Sequence, residues 1–291
     1  MTTTTTLTIP AGGQAGPFDL YSDVDDYTDA FANGILPATM IAGYTSSDVP
    51  NGTNFIRVQS TTTCENYIDI PVTTDITIGT QTFLNKNLDT TTYTDGTEIP
   101  QVTNDTAWEN LKTGAWCYYD NDPANGPIYG KLYNWYALNG IHVPESTPPT
   151  PAEIAARKTL APAGYHVPVY SEMTTLKTYL ESVISVSQGT GNALKSTGTI
   201  GNGGLWEFYA GDTIGIDLYG FTAVPGGIRY VSGSSSGFLN KGNNCSFATK
   251  DIQVLGGTGV GIFRLWWNVG SASVSPVNEE AGGYSVRLIK D

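Results

Sequence analysis

The sequence predicts an α+β protein of short strands, frequent turns and few helices, built in two parts. Three observations predict it. Only 14 % of the 291 residues are charged while 34 are glycine, and hydroxyl and amide side chains supply the remaining polarity, a composition suited to short strands joined by tight turns. Brief apolar/polar alternations recur, as in Phe55-Ile56-Arg57-Val58 and Tyr67-Ile68-Asp69-Ile70, each long enough for one half-buried strand. Windows with helical spacing of apolar residues are few.

The first part, residues 1–72, reads as a small all-β domain, its strands punctuated by turn residues such as Val49-Pro50-Asn51-Gly52. The threonine run at 2–6 is expected to be extended or disordered, because a terminal polar tract buries little apolar area against its ordering entropy. The stretch Phe18–Phe31 carries five aspartates. It lacks the glycine and closing glutamate of an EF-hand loop, so a solvated acidic surface is the favoured reading over a calcium loop. A boundary falls between Pro71 and Asp75.

The second part, residues 75–291, opens with Ile76–Leu84, read as a hairpin. A short helix follows Asn104 and Asp105, either of which could cap it, with Trp108 and Leu111 on one face. The loop after Tyr118-Tyr119 offers Asp120, Asp122 and Asn125 as hard oxygen ligands for Ca²⁺, although a plain Asx-rich turn is favoured and no cofactor is predicted. Residues 140–160 form a proline-rich stretch with a small helical segment near Glu153, a candidate contact element or a passive elaboration. A longer helix is predicted from Tyr170 to Val183, with Met173, Leu176, Leu180 and Val183 as its buried stripe. Val169 stands where a capping side chain is expected. Its absence would weaken the first turn by about 1 kcal/mol unless Ser171 takes over.

The chain has three cysteines. With Cys64 in the first part, at most one internal disulfide can form, and Cys117 and Cys245 are read as buried thiols in preference to a pair. His166 is one of two histidines, and no nucleophile or metal-binding pattern accompanies it. A buried histidine satisfying backbone groups at the start of the long helix is expected.

Beyond Gly226 the chain is dense in Gly, Ser and Asn, with Tyr230, Phe238, Phe247, Trp266 and Trp267 among them as exposed-looking aromatics. Large rigid aromatics amid small adaptable residues make a recognition surface. The candidate ligand-binding set is Tyr230, Phe238, Asn243, Asn244, Trp266, Trp267 and Asn268, with at least one of the two tryptophans expected in the core.

A series of signposts runs through the second part. They are Asn87-Leu88, Tyr93-Thr94-Asp95-Gly96, Ala107-Trp108, Gly114–Tyr119, Gly130–Ala137, Gly164–Pro168, Gly220–Arg229 and Gly283–Arg287. In this order and spacing they resemble the Fibrobacter succinogenes major paralogous domain, which is grouped with C-type lectin-like folds. The resemblance implies a lectin-like α+β domain over 75–291 and a surface-displayed recognition scaffold in preference to an enzyme. It also implies that a cysteine often stands where this chain has Leu288. The fold group includes formylglycine-generating enzymes, whose copper-bound cysteine pattern is not found here.

Acids outnumber bases 27 to 14, for a formal net charge of −13, which repels phosphates and argues against nucleic-acid binding. No run of eighteen apolar residues offers a membrane span, and Met1 is followed by threonines with no basic and apolar segments of a secretory signal. These features lead to the expectation of a phage virion structural protein: a fibre, tail, baseplate or capsid-decoration component. Residues 1–72 would dock to other virion proteins, and the C-terminal domain would adhere to a host-surface glycan or protein without membrane insertion. A homo-oligomer is expected, with a trimer on class grounds. The alternative is a secreted or surface-anchored bacterial adhesin of the same family.

Overall fold

The computed structural model describes residues 2–7, 17–22, 30–36, 39, 44–50, 55–61, 67–71, 75–208, 214–232, 235–254, 258–277 and 280–291. The chain divides into two compact units, Met1–Thr74 and Asp75–Asp291. Mixed in type, it is mostly strand with few helices, and nearly all its strand pairs are antiparallel, the α+β arrangement.

In the first unit the threonine run forms strand β1 (Thr2–Leu7), paired with β4 (Tyr44–Pro50). Strands β2 (Phe18–Ser22), β3 (Ala30–Ile35), β5 (Phe55–Ser60) and β6 (Tyr67–Pro71) make a four-stranded sheet in the order β3-β2-β5-β6. Its core follows the two-residue period: Phe18 and Leu20 on β2 meet Ile56 and Val58 on β5, with Ile35 beside them. Cys64 and the aspartates from Asp23 to Asp29, the candidate calcium loop included, lie outside the described residues.

The second unit begins with the predicted hairpin, β7 (Asp75–Ile78) and β8 (Gln81–Leu84). Two two-residue strands, β9 (Trp116–Cys117) and β10 (Leu132–Tyr133), pair with each other. Strand β11 (Tyr165–His166) and the terminal β17 (Ile289–Lys290) complete a sheet in the order β11-β17-β8-β7. The larger sheet runs β13-β12-β14-β15-β16, from β12 (Gly226–Ser232), β13 (Ser235–Lys241), β14 (Asn244–Val254), β15 (Thr258–Trp266) and β16 (Ser273–Val277).

A shift of register in β14 between Ala248 and Ile252 re-aims its backbone, as bulges do. The Lys250 carbonyl then accepts from Trp135 Nε1 and Asn139 Nδ2, both at 2.8 Å, and the Asp251 carboxylate accepts from Tyr170 N at 2.7 Å. That contact answers the missing cap of the long helix, Tyr170–Val183. Ser171 does not take over. Instead Glu172 reaches back to Val169 N at 2.8 Å, half of a capping box, and Asp251 satisfies the next amide. Met173, Leu176 and Leu180 are buried as the spacing predicts, but Val183 is exposed and Ile184 closes the stripe, because the chain leaves helical geometry at 184 and folds its side chain inward.

The short helix is Asp105–Glu109, capped by Asn104, whose side chain accepts from Ala107 N at 2.9 Å. Leu111 lies beyond its end. The segment 140–160 is a braced elaboration. Its helix, Pro151–Ala156, starts on a Thr150/Glu153 capping box, Arg157 binds Glu145 through two hydrogen bonds, and Lys158 pairs with Asp95 at 2.6 Å.

Cys117 and Cys245 are buried free thiols, each pushed by burial up to about 12. Neither is expected to react with a thiol reagent such as Ellman's until the second unit unfolds, because the thiolate is the nucleophile. Rapid native-state labelling of either, read by peptide mapping, would contradict their burial.

Candidate functional site

The signposts converge. Tyr133 and Tyr284 exchange backbone hydrogen bonds at 2.9 Å, as do Arg229 and Gly283 at 2.9 and 2.7 Å. Asn134 Oδ1 accepts from Ala115 N and Ala137 N, and its amide donates to Thr113 O. Leu88 N donates to Val286 O. Trp108 Nε1 donates to Ala281 O at 2.6 Å and Trp116 Nε1 to Ile99 O at 2.8 Å. Residues far apart in the chain are thus tied by main-chain and indole donors, so these motif residues build scaffold.

Four buried cations lock that scaffold. Arg229 lies between the rings of Trp108 (4.4 Å) and Phe238 (5.1 Å) and donates to Val102 O, Thr103 O and the Asp105 carboxylate. Arg287 packs against the touching rings of Phe221 (4.3 Å) and Phe247 (5.2 Å). Lys131 sits over Trp116 and Tyr118 and pairs with Asp89. Lys195, near the Trp206 ring, donates to Asn192 Oδ1, Trp267 O and Val269 O. Aromatic faces and carbonyls replace water around each charge. Phe247 is therefore core, not an exposed aromatic, because the Arg287 cage needs its ring.

Lys195 connects this scaffold to the surface. Asn244 pairs with Trp266 in the β14–β15 register, Trp267 N donates to Asn243 O at 2.8 Å, and the Lys195 ammonium holds the carbonyls of Trp267 and Val269 from below. The result is a turn with exposed Asn268 and Val269 beside half-buried Trp266 and Trp267. Neither tryptophan is fully buried, although Trp267 packs partly on the core. Asn244 is buried, accepting from Ser246 Oγ at 2.6 Å and donating to Leu265 O. Asn243 Oδ1 is shielded from solvent with no hydrogen-bond partner.

Two members of the predicted ligand set stand apart. Tyr230 and Phe238 lie on the β12–β13 hairpin, where Tyr230 pairs with Gly237, four residues from the Gly226–Lys241 pair that leads to Asn243. At about 3.3 Å per residue this is roughly 13 Å along the strand. Phe238 is part of the Arg229 cage and packs at a tilt on Tyr119, ring centroids 5.2 Å apart.

The calcium candidates are arranged as a turn. Asp120 is exposed with φ 54°, Asp122 accepts from Ala124 N at 2.9 Å as a helix cap, and buried Asn125 donates to Tyr119 O and accepts from Lys241 Nζ. Asp122 Oδ1 and Asn125 Oδ1 already serve the fold. Among the described residues, no group of three or more His, Cys, Asp or Glu side chains is disposed to hold a metal ion.

His166 corrects a further expectation. It bonds two carboxylates, not backbone groups: Nδ1 lies 2.7 Å from Asp291 Oδ1 and Nε2 2.8 Å from Glu172 Oε1, and the ring is partly exposed. Both nitrogens are occupied, so the imidazole ties the last residue to the start of the long helix.

A concave feature that sequence reasoning missed lies between the β7–β8 hairpin and the long helix. This groove of about 390 Å³ is lined by Ile78, Thr80, Gln81, Thr174, Thr178 and Tyr179, among others. It carries no charge, and Gln81 Oε1 is shielded there without a partner. The only advance signal is the run of hydroxyl residues at helical spacing, Thr174, Thr178 and Ser182.

No curated protein and no solved structure matches the chain. The family model of the Fibrobacter succinogenes major domain matches residues 76–290, the whole span over which the signposts knit together. The chain belongs to the Fibrobacter succinogenes major domain family.

Proposed function

We propose that this protein is a non-catalytic recognition module of C-type lectin-like type that adheres to a host-surface glycan or protein, carried on a phage particle. The carrying observation is the Trp266–Val269 turn: two half-buried indoles flanked by asparagines, held from beneath by Lys195. Tryptophan supplies large contact area at low entropic cost, and a turn held in place before binding avoids the cost of ordering it later.

Binding is measured on a glycan array and on host cells. Trp266→Ala is expected to weaken it by about 30-fold, the effect of losing a hot spot of about 2 kcal/mol. Tyr230→Ala, roughly 13 Å away along the β12–β13 hairpin, is expected to change it less than about 3-fold. Full binding by Trp266→Ala would sink the reading, and binding lost only in Thr178→Arg would move the ligand to the groove. The setting is tested by mass spectrometry of purified particles. Stoichiometric peptides support a virion component, whereas recovery in a bacterial envelope fraction makes the protein a surface adhesin.

A further inference from the structure

The segment Ile214–Leu218 is folded inside out. Ile214, Ile216 and Leu218 are 48 %, 42 % and 53 % exposed, while the residues between them, Gly215 and Asp217, face inward. Apolar side chains are usually inside and charged ones outside. Here the reverse is enforced. A Cβ at Gly215 would lie 2.4 Å from Ser196 O and 2.8 Å from Lys195 O, so no larger residue fits inward at that position. Asp217 takes a left-handed backbone conformation, φ 41°, and its carboxylate accepts from Thr222 N at 2.8 Å and Thr222 Oγ1 at 2.9 Å. The amides of Ile216 and Leu218 are held at 2.8 Å by Asn192 O and Ala193 O. A non-glycine residue at positive φ costs energy, so it is the bonds from Thr222 and the crowding at Gly215 that hold a polar side chain in and three large apolar ones out.

Exposed apolar stripes of this kind mark contact surfaces. We propose that the stripe is a two-fold contact between copies of this chain, an inference independent of the ligand-binding turn. Two observations select a second copy as the occupant. The stripe is self-complementary about its middle member: a two-fold axis at Ile216 sets Ile216 against Ile216 and Ile214 against Leu218, leaving no apolar member unmatched, as an isologous interface requires. The stripe is also free of charge in a chain of net charge −13. Two such chains repel wherever their carboxylates face each other, and a neutral face is where they can meet. The contact gives a dimer, and three side chains per copy make it weaker than a standard interface of about 800 Å² per partner.

The full chain is tested by cysteine cross-linking in a Cys64→Ser background, since Cys117 and Cys245 are buried. Ile216→Cys is expected to form a disulfide-linked dimer under mild oxidation at least 10-fold faster than Ile128→Cys, an exposed residue of a different segment. Ile214→Cys alone is expected to cross-link slowly, and fast when mixed with Leu218→Cys. Sedimentation equilibrium supplies a second reading: raising salt, which screens the repulsion, is expected to strengthen the wild-type dimer, and Ile216→Asp to abolish it. Equal cross-linking rates at Ile216 and Ile128, or a dimer unchanged by Ile216→Asp, would overturn the proposal. So would a monomer that instead floats with neutral phosphatidylcholine vesicles, which would give the stripe to lipid.

Discussion

Arg287→Ala is expected to unfold the second unit or to reduce its stability by about 3–5 kcal/mol, the range for removing one member of a buried charged network. Arg287 is fully buried. Its guanidinium donates to Phe221 O, to Leu84 O at 3.2 Å and to Asn87 Oδ1 at 2.8 Å, and it packs against the rings of Phe221 and Phe247. Burial lowers its pKa to about 10, so it remains charged at neutral pH. Truncation would leave three acceptors without a donor and open a cavity beside Phe221 and Phe247, and both effects destabilise. Arg287→Lys keeps the charge but lacks the planar fork that reaches several acceptors, and is expected to recover only part of the loss. The readout is built in. All six tryptophans lie beyond residue 75, so tryptophan fluorescence during urea denaturation follows the second unit alone. A midpoint shifted by less than the equivalent of about 1 kcal/mol would refute the account of Arg287 as a structural lock.

Gly140→Ala should lower the same midpoint by the equivalent of about 3 kcal/mol or more, combining backbone strain with overpacking. Gly140 has φ 69°, and a Cβ there would fall 1.8 Å from Lys158 O and 2.5 Å from Lys158 N. The two residues are hydrogen-bonded, Lys158 N to Gly140 O at 2.8 Å, and so close the base of the 140–160 elaboration. A methyl group would meet backbone, which cannot turn aside as a side-chain tip would. Gly96→Ala is the matched control, because Gly96 also has positive φ, 86°, but nothing lies within 4 Å of its Cβ position. Only the conformational cost of about 1 kcal/mol is expected there. Equal effects at the two sites would show that close approach to Lys158 is not what requires glycine at 140.

Local features were legible in advance. The β7–β8 hairpin, the Asn104 cap and the buried face of the long helix each depend on residues within a few positions of one another, and there spacing and side-chain chemistry suffice. The buried thiols were legible too, since a free cysteine packs as a small apolar group. The signposts carried the family, because their residue types are demanded by the contacts described above: an indole donor for a distant carbonyl, an asparagine for two amides, an arginine for three acceptors.

The candidate site was only partly legible. Gly, Ser and Asn around Trp266-Trp267 pointed to a surface turn, and the structure holds Asn243, Trp266, Trp267 and Asn268 together there. Asn244, however, is drawn inside by Ser246 and Leu265, and Tyr230 and Phe238 are carried away by the strand register. Val169 has its amide satisfied by Glu172, three residues on, while Tyr170 relies on Asp251, 81 positions away. His166 finds Asp291 across 125 positions.

From residue order alone come the strand and helix preferences, the caps, the acidic balance and the family signature. Tertiary structure alone decided which charges go inside, since a cation is buried only where rings and carbonyls from remote segments meet to replace its water. It also decided that Ile214, Ile216 and Leu218 face out: alternation separates the two faces of a segment, but only the crowding at Gly215 and the bonds from Thr222 to Asp217 choose which face meets solvent.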